Sequence, residues 1–262
     1  MILSDFHTHT NYCDGKNTPR EMVEAAIKMN MKNIGFSVHS YTFFDESYCI
    51  KEQKISEYKN EIFKLKNEYA DKIKIFCGVE KDYYSDMDTS GFDYVIGSVH
   101  YIKHKGKYFP IDYSEEMFLN VVNECFEGDF MLLAREYYKS VSEVCEKTKC
   151  DIIGHLDLIS KYNEGERLFA ETAEYKMLVQ NAIDRLLKSN AVFELNTGAI
   201  SRGIKSTPYP SEFALSYILK NGGKVVLSGD AHTTDTLCFE FDKWENKICD
   251  LGFCVSDFQI KE

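Results

Sequence analysis

Short apolar, β-branched runs alternate with longer amphipathic stretches along the whole chain, and this alternation narrows the fold more than any other feature. The runs span 2–6, 33–38, 73–79, 94–99, 151–154, 191–195, 224–227 and 253–255. Thr18-Pro19-Arg20-Glu21 opens the first helical stretch with a cap residue, a proline at the first helical position and a carboxylate three after the cap. A second stretch carries Ile55, Tyr58, Ile62, Leu65 and Tyr69 on one stripe at three/four spacing, and a later one carries Tyr175, Val179, Ala182 and Leu186 in the same way. Strands alternating with helices predict parallel βα units in one sheet. Seven or eight such units in 262 residues match a (β/α) barrel better than two separate sheets. No linker, repeat or low-complexity block divides the chain, so residues 1–262 are expected to form one domain.

Composition excludes several classes. An apolar fraction of 44% and an aromatic fraction of 14% rule out a disordered chain. This length buries roughly three-quarters of the unfolded surface, enough to be stable without cross-links. The longest apolar run, 130–134, is far short of the ~20 residues of a membrane span. The first residues carry neither a basic n-region nor an apolar h-region, so no secretory signal is expected. With 42 acidic and 31 basic side chains the net charge is −11, which repels long nucleic acids but not a small anion held by local positive charge. The nine cysteines are odd in number and show no Cys-x-x-Cys pair, which favours reduced thiols in a cytoplasm over a disulfide framework or a thiolate zinc ribbon.

The placement of histidine carries the chemistry. His7 and His9 follow the first strand, His39 the second, His100 the fourth, His155 the fifth and His232 the seventh. His104, in a polar stretch, reads as a solvated loop residue. Glu80 ends the third strand, Asp230 precedes His232, and Asp14 lies five residues beyond His9. One histidine after a strand is usually a hydrogen-bonded rim residue, and Asp14 before Gly15 alone reads as a turn. Jointly they differ, because the C-terminal ends of parallel strands open onto one face. Six imidazoles and their carboxylates gathered there are costly unless they hold more than one divalent metal. Imidazole with carboxylate and no thiolate suits Zn²⁺, Mn²⁺ or Fe²⁺. Clustered ions about 3.5–4 Å apart activate water and neutralise a phosphoryl group, which makes hydrolysis the default chemistry.

These motifs resemble a known family. His7-Thr8-His9-Thr10, Ser37-Val38-His39, Gly78-Val79-Glu80, Gly97-Ser98-Val99-His100, Gly154-His155-Leu156-Asp157 and Gly229-Asp230-Ala231-His232 look like the ordered motifs of the PHP (polymerase and histidinol phosphatase) superfamily. Within it, residues 92–100 and 154–159 look most like the stand-alone histidinol-phosphatases. The resemblance implies an α/β fold, a distorted (β/α)7 TIM-like barrel with a metal site of three ions at the C-terminal strand ends. It implies that His7, His9, Glu80 and Asp230 hold one ion, that Glu80 bridges to a second completed by His100 and His155, and that Asp14, His39 and His232 hold the third. Asp14 is a departure, since many relatives carry histidine near it.

The implied activity is hydrolysis of L-histidinol phosphate to L-histidinol and phosphate in histidine biosynthesis. Asp230, His232 and Glu80 are the candidate catalytic residues, with Asp230 or His232 managing a proton of the water or the leaving alkoxide. Among five arginines, Arg202 lies in the loop after the sixth strand, where a guanidinium fork matches phosphate oxygens. Lys161 and Asn196 are further candidate substrate contacts, and Glu194 with Asn196 is equally open to plain core hydrogen bonding. The alternative substrates are another small phosphate ester, a nucleotide or a phosphotyrosine peptide, and a third reading is a non-catalytic metal-binding domain. An exonuclease role, contact with nucleic acid and contact with a membrane are not expected. The oligomeric state stays open.

Overall fold

The structure, a computed structural model, describes residues 3–256, 258 and 260. Among the described residues nine strands run in chain order: β1 (Ser4–Asp5), β2 (Asn33–His39), β3 (Lys74–Asp82), β4 (Tyr94–Ser98), β5 (Tyr101–His104), β6 (Lys107–Pro110), β7 (Ile152–Ile153), β8 (Val192–Asn196) and β9 (Val225–Ser228). Seven of them form one sheet in the order β1-β2-β3-β4-β7-β8-β9, every pair parallel. A parallel bridge between Thr8 and Ala231 joins the two edges just beyond β1 and β9. His9 N–H donates to Ala231 O at 2.8 Å and Ala231 N–H to His7 O at 3.0 Å. The sheet is thus nearly closed into a seven-stranded barrel, the distorted TIM-like form expected. Similar spacing of all strand ends on one rim follows from their parallel direction.

Helices α1 (Pro19–Lys28), α2 (Ile55–Glu68), α3 (Glu115–Cys125), α4 (Phe130–Thr148), α5 (Ala173–Leu186), α6 (Gly198–Ser201), α7 (Glu212–Lys220) and α8 (Phe241–Asp250) lie among the strands in sequence. Thr18 caps α1 through a reciprocal box with Glu21. The expected stripes of α2 and α5 are buried, with Tyr58, Ile62 and Leu65 on the first and Tyr175, Val179, Ala182 and Leu186 on the second.

The barrel interior has its own apolar plug of Phe6, Tyr94, Ile96, Ile152, Val192 and Val226. Tyr94 fills it because β2 and β3 present glycine where its ring lies. A Cβ at Gly78 would stand 2.3 Å from Tyr94 Cζ, and one at Gly35 2.4 Å from its hydroxyl. The plug blocks the barrel from below and leaves the polar side chains at the strand ends facing a cavity.

Two expectations are corrected. Residues 253–255 form no strand, although Ser256 N–H reaches Val225 O at 2.7 Å. The polar stretch at 103–106 is the turn of an antiparallel hairpin, β5 with β6. Lys105 and Gly106 both take positive φ (47° and 82°), the backbone of a tight two-residue hairpin turn. His104 therefore ends β5 half-buried against Phe126 rather than in a solvated loop. The residue Ile2, where the first strand was expected to start, lies outside the described residues.

Candidate metal centre

Alternation along β3 turns Gly78, Glu80 and Asp82 to the same side. Glu80 is buried at the centre of the rim and faces five imidazoles. Its Oε2 stands 2.8 Å from His39 Nδ1, 3.2 Å from His7 Nε2 and 3.5 Å from His9 Nε2. Its Oε1 stands 2.9 Å from His155 Nε2 and 3.3 Å from His100 Nε2. Asp230, which adopts a positive φ of 47°, brings Oδ1 within 3.3 Å of His9 Nε2 and 3.7 Å of His7 Nε2. Asp14 comes from the loop after β1, with Oδ2 3.2 Å from His232 Nε2 and Oδ1 3.6 Å from His39 Nε2.

All nine residues named as metal ligands from the sequence thus lie in one cluster. The donor atoms of eight of them gather into three groups that could hold an ion: His7, His9 and Asp230; His39, Glu80 and His100; and His9, Asp14, His39 and His232, while His155, 2.9 Å from Glu80 Oε1, stands beside the second group. His9 and His39 each belong to two groups, a sharing that spacing along the chain does not reveal. His7 Nε2, His9 Nε2 and Glu80 Oε2 are buried with no hydrogen-bond partner among the described residues. Each such atom costs about 1–3 kcal/mol if it stays unmet. Two imidazole nitrogens and a carboxylate oxygen turned toward one another fit a borderline-soft divalent cation.

A further set of contacts orients these side chains. His7 Nδ1 is bonded to Glu194 Oε1, and Glu194 Oε2 accepts the His155 backbone N–H at 2.8 Å. Asp82 Oδ2 accepts the His100 backbone N–H at 3.0 Å and lies 3.2 Å from its Nδ1. His232 Nδ1 lies 2.9 Å from Asp230 O, which as a carbonyl can only accept. The carboxylate partners hold the protons of His7 and His100 on Nδ1 and turn their Nε2 toward the centre, while His232 Nδ1 also meets a donor, Arg202 Nη1, at 3.2 Å. Asp82 was missed in the sequence, although its position two residues after Glu80 on a strand is the signal that would have found it.

The electrostatics follow from this crowding. Burial opposes charge on His7, yet the facing Glu194, Glu80 and Asp230 carboxylates hold its pKa well above the usual imidazole range. Burial, together with His39 and His232 alongside, pushes His9 down to about 3. Burial alone would raise Glu80, but His7, His39 and His100 hold it well below the usual carboxylate range. Against the same burial, Arg202 and His7 do this for Asp230. The centre is therefore a set of ionised, buried carboxylates whose charge is met by the imidazoles and the guanidinium around them.

The cluster forms the floor of a cavity of about 470 Å³ whose walls include Asp45, Tyr101, Asp112, Tyr113, Lys161 and Arg202. Arg202 Nη2 donates to Asp230 Oδ2 at 2.9 Å and Nη1 to Asp230 O at 3.1 Å. Lys161 Nζ donates to Asp112 O at 2.7 Å and lies 3.3 Å from its Oδ2. Asn196 corrects an expectation. It is fully buried and absent from the cavity wall. Its Nδ2 donates to Glu194 Oε2 at 3.1 Å and its Oδ1 accepts Gly198 N–H at 2.9 Å, so it braces Glu194 instead of meeting substrate.

Known proteins resemble this chain in sequence and in fold. The PHP domain family matches residues 5–198. A probable histidinol-phosphatase of Deinococcus radiodurans is 27% identical over 95% of this chain and 94% of its own. A histidinol-phosphatase of Bacillus subtilis is 25% identical over 92% of this chain and 98% of its own. The fold is also that of the crystal structure of a Lactococcus lactis histidinol phosphate phosphatase complexed with zinc, L-histidinol and phosphate. That likeness has a TM-score of 0.75 at 23% identity and covers 100% of this chain and 99% of that one.

Proposed function

This chain belongs to the PHP domain family, and from that premise we propose that it is a cytoplasmic, metal-dependent phosphomonoesterase that hydrolyses L-histidinol phosphate to L-histidinol and phosphate in histidine biosynthesis. The observation that carries the reading is the position of Glu80, a buried carboxylate facing five imidazoles on the floor of a cavity that also presents Arg202 and Lys161. The relatives named histidinol-phosphatase, aligned over nearly their full lengths, support the choice of substrate.

In this reading His7, His9, Glu80 and Asp230 hold one divalent ion, Glu80 with His100 and His155 a second, and Asp14, His39 and His232 a third, each Zn, Mn or Fe. Ions bound there lower the pKa of water and offset phosphoryl charge. The remaining work belongs to the chain. Arg202, fixed by Asp230 through both Nη atoms, offers its remaining N–H groups to the equatorial phosphoryl oxygens. Lys161, steadied by Asp112, adds charge from the neighbouring wall. Asp230 and His232, ligands in this reading, are also the candidates to take a proton from the attacking water or return one to the leaving alkoxide. The family match ends at residue 198, yet Asp230 and His232 from beyond it complete the cluster, which supports the chain working as one domain.

The test is phosphate release by the full chain loaded in turn with Zn²⁺, Mn²⁺ and Fe²⁺. Histidinol phosphate, a nucleoside monophosphate and a phosphotyrosine peptide serve as substrates. We expect kcat/KM to favour histidinol phosphate by more than about tenfold, one factor of ~1.4 kcal/mol. Chelation should abolish turnover, as should His7→Ala or Asp230→Ala. Preference for another ester overturns the substrate, and full activity in metal-free protein overturns the mechanism.

A further inference from the structure

The cavity contains one charge that phosphate chemistry does not explain. Asp45, in the loop after β2, lines the same wall as Tyr101 and makes no ion pair among the described residues. Of the other acids lining it, Asp112 is matched by Lys161 and Asp230 by Arg202, while Asp14 and Glu80 face histidines of the cluster. The Asp45 carboxylate is nevertheless held firmly. Oδ2 accepts the Tyr101 hydroxyl at 2.7 Å, and Oδ1 accepts Ser47 N–H at 2.9 Å and the Ser47 hydroxyl at 2.7 Å. Phe44, the preceding residue, stacks on Tyr108 of the hairpin with centroids 3.9 Å apart and planes 11° from parallel. An ionised acid fixed in a pocket for a phosphate dianion repels the substrate unless another part of the substrate is positive.

Topology says which part that is. Around the closed ring β1-β2-β3-β4-β7-β8-β9, β2 stands three strands from β7 and three from β8, as far as seven strands allow. Lys161 follows β7 and Arg202 follows β8, whereas Asp45 follows β2. A phosphoryl group held by Arg202 and Lys161 thus lies on strands opposite, around the ring, to the strand that leads to Asp45. Tyr48, Tyr101 and Tyr113 line the cavity as well, and their ring faces attract a cation.

We propose that Asp45 is the specificity residue that receives the ammonium or imidazolium of the leaving group, so that the site selects phosphate monoesters of cationic amino alcohols. This rests on the phosphatase reading above. Tyr101 is then a positioning residue, acting through the carboxylate.

The test compares 2-aminoethyl phosphate with propyl phosphate, an isosteric pair that differs only in the positive charge. On the full-length, metal-loaded protein the ratio of their kcat/KM values should exceed one and fall as salt screens the attraction. Asp45→Asn, which keeps the acceptor for Ser47, should cut that ratio by about tenfold to a hundredfold, the loss of a charge-assisted hydrogen bond. Asp45→Glu should retain more of the preference than Asn, and Tyr101→Phe should fall between wild type and Asn. A residue that merely fastens the loop would lower both rates together and leave the ratio within twofold, which would overturn the assignment alone. A salt-independent wild-type ratio near one would overturn it without any variant. If histidinol phosphate is hydrolysed but neither small ester is, positive charge alone does not select the substrate and the assignment falls; if none of the three is hydrolysed, the phosphatase reading fails and takes this assignment with it.

Discussion

Glu194, a carboxylate sealed inside the barrel, bonds His7 Nδ1 with one oxygen and accepts the His155 backbone N–H with the other at 2.8 Å. It links the ends of β1 and β7 from β8 and turns His7 Nε2 toward Glu80 and Asp230. Outer carboxylates of this kind tune a ligating histidine without touching the ion.

Glu194→Gln should therefore weaken metal affinity or activity by about 10–100-fold while preserving the fold. Competition with a chelating dye gives the affinity and steady-state kinetics the rate. Wild-type values for both would show that Glu194 only packs.

Arg202→Ala should lower kcat/KM by about 10²–10³-fold, the cost of removing one donor to developing phosphoryl charge. Arg202→Lys should lie between, because the charge survives and the fork does not. Metal content must be measured alongside, since Arg202 also contacts Asp230 at 2.9 Å. An Ala variant with normal metal content and undiminished kcat/KM would remove Arg202 from phosphate binding.

Gly78→Ala should destabilise the fold by about 1–3 kcal/mol, the range for overpacking a well-packed core. The added Cβ meets the Tyr94 ring at 2.3 Å, and Tyr94 cannot withdraw without breaking its 2.5 Å bond to Phe6 O. Urea unfolding monitored by fluorescence reads the change, and an unaltered midpoint would mean that the plug is loosely packed.

Asp157 supplies a test of pH. Burial raises its pKa, against Lys205 and the Ser211 contacts that lower it. A raised folded value favours the native state while the carboxyl is protonated, and that advantage is lost as pH rises from the unfolded value of ~4 through the folded one. Asp157→Asn should thus gain stability relative to wild type as pH increases from ~4 toward neutrality. Its Oδ1 can still accept Ser211 N–H, now bonded to Oδ2 at 2.7 Å. A stability difference that moves in the opposite sense would contradict the direction of the shift.

Much of this centre was legible in the sequence for a definite reason. A parallel barrel converts position along the chain into position in space, so histidines written after successive strands must meet on one rim. That rule reaches His7, His39, His100, His155 and His232 without knowledge of any distance. It also reaches Glu80, at the end of β3. It fails for the hairpin at 101–110, which adds no strand to the barrel and whose Lys105-Gly106 turn carries a weaker signal than Asn-Gly. It fails for Asn196 too, because a strand end predicts a location on the rim but not whether the side chain points into the cavity or is sealed behind Glu194.

The sequence by itself determined the alternation of elements, the barrel class and the nine side chains that gather at its mouth, since periodicity and chain direction are local properties. Only the tertiary structure decided how those side chains share one another. That His9 and His39 each face two groups, that Glu194 and Asp82 direct the imidazoles, and that Asp45, without an ion pair among the described residues, lines the same cavity as Arg202 all depend on distances between residues far apart in the chain. Those distances are set by how seven strands close and by the ring of Tyr94 that fills the space two glycines leave open.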